Sequence, residues 1–89
     1  MQIEFLSYLR DAAGSDCLEV PAATTVGELL RVLGERCGPG LAGKLPSAGN
    51  GAAEAAVMVN GRHFSRLGGL DAPLVEGDVV RIFPVVEGG

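Results

Sequence analysis

Residues 2–9, QIEFLSYL, alternate apolar and polar side chains. Ile3, Phe5 and Ser7 fall on one side, and Gln2, Glu4 and Leu6 on the other. With Ile, Phe and Tyr in the run, this predicts a strand. The segment DAAGSD comes next as a turn, and Cys17-Leu18-Glu19-Val20 predicts a second strand closed by Pro21, so the two form a hairpin. A different period begins at Thr25. Val26, Leu29, Leu30, Leu33 and Cys37 recur at helical spacing, while Glu28, Arg31 and Glu35 occupy the opposite face. Thr25 and Glu28 stand at the positions of a capping box, Arg31 and Glu35 are an i,i+4 pair, and Gly38-Pro39-Gly40 stops the pattern. These signals predict a helix over 26–37.

Residues 38–55 are rich in Gly, Ala, Pro and Ser. They predict either a mobile loop or an excursion with a short helical turn, pinned by Leu41 and Leu45. Ala56–Asn60 predicts a third strand, Asn60-Gly61 a tight hairpin turn, and Arg62-His63-Phe64 the returning strand. After an irregular stretch at 68–74 and a turn at Glu76-Gly77-Asp78, Val79–Phe83 predicts the last strand, stopped by Pro84.

One helix covers only one face of a sheet, so the fold class is an α+β roll with the helix on one side. The helical stripe meets Ile3, Phe5, Leu18, Val20, Val57, Val59, Val80 and Ile82. Leu6, Tyr8, Met58 and Phe83 are left for the other face, as a binding patch or as packing under loops and sheet edges.

A chain of 89 residues with these elements is one domain with a modest core. The expected organisation is a folded unit over 1–84 and a flexible tail over 85–89. The formal net charge of −4, without a basic cluster, argues against nucleic acid as a partner. No run has the length and apolarity of a membrane span, and the first residues carry no signal-peptide pattern, so a cytoplasmic location is expected. Cys17 and Cys37 are far apart and are expected to pack as small buried hydrophobes. His63, the single histidine, is read as structural or surface, and no metal site is expected.

The interior offers no constellation for catalysis. The end of the sequence does: Pro84 is followed by Val85, Val86, Glu87, Gly88 and Gly89. Five extended residues reach roughly 17 Å, and two glycines let a backbone enter a channel too narrow for side chains. A terminal carboxyl is ionised at neutral pH and is a poor electrophile until another enzyme activates it, for example as an acyl-adenylate made with ATP.

FLSYLRDAAG, TTVGELLRVL, VMVNG and PLVEGDVVRIFPVVEGG together resemble, in order and spacing, the β-grasp sulfur carriers of the MoaD/ThiS type, above all the small subunit of molybdopterin synthase. The resemblance implies a ubiquitin-like mixed sheet of about five strands with the last strand beside the first. It also implies a cycle in which a MoeB/ThiF-type adenylyltransferase activates Gly89 with ATP, sulfur is added as a thiocarboxylate, and the tail delivers it in a partner's pocket. In the molybdopterin case that partner is the large, MoaE-type synthase subunit and the acceptor is cyclic pyranopterin monophosphate. Gly88 and Gly89 would carry the chemistry, while Phe83, Pro84, Val85, Val86 and Glu87 would guide and dock the tail. The chain would hold no cofactor and would not be catalytic alone.

Two features depart from the MoaD pattern. Val85 stands where many such tails have a second proline, and Glu87 where they have a small residue. LGGLDAPLVEGD also resembles carriers that feed cysteine synthesis. Carriers for cysteine, homocysteine or thiamine-thiazole synthesis are therefore alternatives. A protein modifier joined to lysines through Gly89 is an alternative of another class, and a plain binding module is a third.

Overall fold

The computed structural model describes residues 1–21, 25–46 and 54–85. Among the described residues, five strands, β1 Gln2–Phe5, β2 Cys17–Glu19, β3 Ala55–Val59, β4 Arg62–His63 and β5 Val79–Pro84, form one sheet in the order β2-β1-β5-β3-β4. The central pair β1/β5 is parallel, with Ile3 opposite Val80 and Phe5 opposite Ile82, and the other pairs are antiparallel. The α-helices among the described residues are α1 Leu9–Ala13, α2 Val26–Cys37 and α3 Pro39–Ala42.

Strand periodicity sends Ile3, Phe5, Val57, Val59, Val80 and Ile82 to one face, where they are buried with Val26, Leu29, Leu30 and Leu33 of α2. Leu18 and Cys37 are half-buried and pack against this cluster. The bounds of α2 are those its stripe predicts. Thr25 Oγ1 accepts from the Glu28 N–H at 3.2 Å, so half of the capping box forms. The Glu28 carboxylate does not return to Thr25. It takes two hydrogen bonds from Arg31, at 2.7 and 3.3 Å, and a charged guanidinium one turn along outcompetes a single neutral amide. Arg31 also reaches Glu35 at 2.8 Å.

The structure corrects the first segment. β1 ends at Phe5, and Ser7 adopts a left-handed conformation (φ 58°), lying exposed rather than on the inner face. The chain then enters the helix α1, so the antiparallel β1/β2 pair is joined by a helical turn and not by a simple polar loop. Leu9, Ala12 and Ala13 have helical spacing and pack on the core, a signal that overlaps the last alternation of QIEFLSYL. Cys17 is exposed, not buried. It pairs with Glu4 on the outer face of an edge strand, where Leu18 takes the inward position.

In the stretch 38–55, Pro39 opens the short helix α3, and Leu41 and Leu45 are buried. Asn60 and Gly61 both have positive φ (52° and 85°), as a two-residue hairpin of the primed type requires. Residues 64–67 and 69–71 form short 3-10 turns. His63 Nδ1 accepts from the Ser65 N–H at 3.2 Å and so caps the first of them. β5 runs one residue further than predicted, because Pro84 still lies opposite Ala55. A proline there takes a strand position near the end of the ladder that needs no N–H.

Candidate functional site

The outer sheet face is divided. Toward β2 it is polar: Glu4 and Arg81 are register partners across β1/β5 and form an ion pair at 3.0 Å. Toward the end of β5 it turns apolar. Phe83 lies half-buried opposite Ala56, Met58 is half-buried opposite Arg81, and Leu6 is 43% exposed. Four residues that periodicity leaves out of the core, Leu6, Tyr8, Met58 and Phe83, are indeed absent from the buried cluster.

Phe83 and Pro84 are held in β5, and Val85 comes next with its side chain 44% exposed. The Val85 N–H donates to the Glu54 carbonyl at 2.7 Å, so backbone pairing with the β3 side continues past the strand. The other predicted tail residues, Val86, Glu87, Gly88 and Gly89, lie outside the described residues, as does the part of the predicted tail they make up.

The surroundings of this exit are not foreseen in the sequence. Glu54 immediately precedes β3, and its carboxylate accepts from Tyr8 Oη at 2.8 Å and from Lys44 Nζ at 3.3 and 3.4 Å. Lys44 Nζ also lies 5.9 Å from the centre of the Tyr8 ring, within cation–π range. The Ala55 N–H donates to the Lys44 carbonyl at 3.0 Å, tying the end of the α3 segment to the start of β3. The Tyr8 hydrogen bond, with help from Lys44, lowers the Glu54 pKa, and the same bond raises that of Tyr8. The available signal was a count: Lys44 is the single lysine of the chain.

A groove of about 650 Å³ lies elsewhere, between α2, α3 and Leu70, with Leu30, Gly34 and Leu45 in its lining. No residue of β1, β3 or β5 lines it. Among the described residues no cluster of three or more His, Cys, Asp or Glu side chains could hold a metal ion, and no helix is long and apolar enough to cross a membrane.

A five-stranded mixed sheet with a parallel central pair and one long helix across its inner face defines the ubiquitin-like β-grasp class. The model of the ThiS family matches residues 3–89, and the chain belongs to this family of MoaD/ThiS-type ubiquitin-like carriers and modifiers. It is 35% identical over 91 residues to small archaeal modifier protein 3 of Haloferax volcanii, covering 100% of this chain and 98% of that one. Among solved structures it resembles a chain of the Amycolatopsis orientalis BexX/CysO complex (27% identity, TM-score 0.81, 99% and 98% of the two chains). It also resembles a candidate subunit 1 of the molybdopterin converting factor from Pyrococcus furiosus (27% identity, TM-score 0.74, 96% and 95%).

Proposed function

We propose that this chain is a sulfur carrier whose reactive group is the carboxyl of Gly89 as terminal residue. The observation that carries the proposal is the ThiS-family match, which extends across the fold and on through residue 89. A carboxylate oxygen of Gly89 attacks the α-phosphate of ATP on a MoeB/ThiF-type adenylyltransferase, and pyrophosphate leaves. Hydrosulfide then attacks the acyl carbon, the bond to AMP breaks and AMP leaves, and loss of the thiol proton gives the thiocarboxylate. Gly88 and Gly89 pass through the narrow active site, and Phe83, Pro84, Val85, Val86 and Glu87 guide and dock the tail. The chain binds no cofactor itself, and ATP is consumed by its partner.

The recipient we propose is the MoaE-type large subunit of molybdopterin synthase, which supplies the catalytic side chains. Its support is the PLVEGDVVRIFPVVEGG ending and the likeness to the Pyrococcus protein. Mixing the carrier with the adenylyltransferase, ATP and a sulfur source, then with the large subunit and cyclic pyranopterin monophosphate, should yield molybdopterin. Sulfur transfer to a cysteine-synthesis enzyme instead would move the chain to that pathway. One extra residue after Gly89 should abolish transfer in either case.

A second reading has its own support in the 35% identity to a modifier protein. In that reading the same activated carboxyl is passed to lysine amines of other proteins. Isopeptide-linked adducts bearing the Gly-Gly remnant, recovered from cells, would establish it.

A further inference from the structure

The Asn60-Gly61 turn between β3 and β4 carries chemistry as well as a conformation. Both residues are exposed and both have positive φ. A side-chain amide of asparagine is most open to attack by the backbone nitrogen of the next residue when that residue is glycine, because no Cβ crowds the approach. The bond from nitrogen to Cγ forms and its proton passes to solvent, while the Cγ–Nδ2 bond breaks and ammonia leaves. Water then opens the cyclic imide at either carbonyl, giving aspartate or the β-linked isoaspartate. A Cβ built on Gly61 would meet nothing within 4 Å, so the space beside the turn is open.

The Asn60 side chain is anchored at both ends. Its Oδ1 accepts from the Val79 N–H at 2.9 Å, while the Asn60 backbone N–H donates to the Val79 carbonyl at 2.9 Å. The amide thus takes the place that a backbone carbonyl fills in a regular antiparallel pair. Its Nδ2 donates to Asp78 Oδ1 at 2.9 Å, and Asp78 is itself fixed, because its Oδ2 accepts from the Val75 N–H at 2.9 Å. Ring closure has to pull Cγ off the start of β5 and back over its own peptide. We infer that Asn60 is a site of spontaneous deamidation held in check by its clamp to Asp78 and Val79, and that the reaction, once it occurs, unfastens the turn. The product puts a carboxylate oxygen where Nδ2 stood, so an acceptor faces the acceptor Asp78 Oδ1. The isoaspartate form also adds a methylene to the backbone of a tight hairpin turn. Val59 opposite Val80 is the next pair along, so the change loosens β3 from β5 at the end away from Val85. Nothing in the reaction uses the carboxyl end of the chain.

Isoaspartate at residue 60 is followed in the full chain, held in mildly alkaline buffer. Peptide mapping separates it from the other Asn-Gly pair, Asn50-Gly51, which lies outside the described residues. The folded chain should react more slowly at residue 60 than the same chain unfolded in guanidinium chloride. Asp78→Ala removes the Nδ2 acceptor and should raise the folded-state rate by about two- to ten-fold, the range that one exposed hydrogen bond supports. Leu18→Ala weakens packing on β2, beyond β1 from the turn, and should leave the rate at residue 60 unchanged while circular dichroism shows the chain folded. Asn60→Asp stands in for one product and should lower the urea midpoint, by less when Asp78→Ala is also present. Equal rates in Asp78→Ala and the unaltered chain would overturn the inference, as would a folded chain that reacts as fast as the unfolded one. An equal rise in Leu18→Ala would do the same, because residue 60 would then react through global unfolding and not through release of the clamp. An unchanged midpoint in Asn60→Asp would overturn the unfastening of the turn.

Discussion

The Val85 N–H meets the Glu54 carbonyl at 2.7 Å, one residue beyond the end of β5. This bond places the root of the predicted tail against the start of β3, beside the Tyr8 and Lys44 side chains that Glu54 also binds.

Val85→Pro tests that tether, because proline has no N–H to donate. The loss of one exposed backbone hydrogen bond should lower stability by about 0.5–1.5 kcal/mol, read as a fall in the urea midpoint at unchanged slope. A midpoint equal to that of the unaltered chain would show that the bond contributes nothing.

Leu33 is fully buried on the inner face of α2. Leu33→Ala leaves a cavity in a small core and should cost about 2–5 kcal/mol, a large part of the stability of a domain this size. Equilibrium denaturation measures it directly. A cost under about 1 kcal/mol would mean that the helix does not pack as described.

Tyr8 is the single tyrosine, and the chain has no tryptophan, so its phenolate absorbance titrates alone. The hydrogen bond to Glu54, then partial burial and the Glu54 charge, raise its pKa above the ordinary 10.0. The midpoint should exceed 10 in the native chain and fall back toward 10 in Glu54→Ala, which removes both the acceptor and the charge. Linkage sets the sign: a raised folded value makes the contribution of Tyr8 fully present below the unfolded pKa and lost as pH rises through the folded one. Coincident midpoints in the two chains would remove Glu54 as the cause.

Glu28 and Glu54 behave in the opposite sense. Arg31 lowers the Glu28 pKa from its ordinary 4.5, and the Tyr8 and Lys44 hydrogen bonds lower that of Glu54. Depressed carboxylates contribute stability above their unfolded values and lose it as pH falls through the folded ones. Thermal midpoints should therefore drop below about pH 4.5, and the double variant Glu28→Gln, Glu54→Gln should show a shallower decline. Both groups are exposed, so the change is small and weakens with salt.

The helix α2 is legible to the residue because an apolar stripe, a Thr cap and a Gly-Pro-Gly stop coincide. α1 is not, because a five-residue helix offers one turn of periodicity and Leu9 also fits the alternation that precedes it. Cys17 escapes its expected burial because side-chain type does not reveal which face of an edge strand a residue takes. The tail exit is half legible. Phe83 is readable as the end of the last strand, whereas the strand position of Pro84 and the pairing of Val85 beyond it are not, and Lys44, Glu54 and Tyr8 are brought together only by the register of β3 on β5 and the docking of α1. No local motif encodes that convergence. The family is legible from four short motifs in order, and the ThiS-family match covers the same span.

The chemical state of Gly89 in protein purified from its own cells tests the carrier proposal most directly. A thiol-selective reagent traps a thiocarboxylate, and fragment mass spectrometry assigns the label to the terminal residue rather than to Cys17 or Cys37. A labelled Gly89 that depends on ATP and the adenylyltransferase is the expected result. No thiocarboxylate where that enzyme and ATP are supplied, with free chains ending in a plain carboxylate and the rest joined through Gly89 to lysines of other proteins, would contradict it and make the chain a modifier.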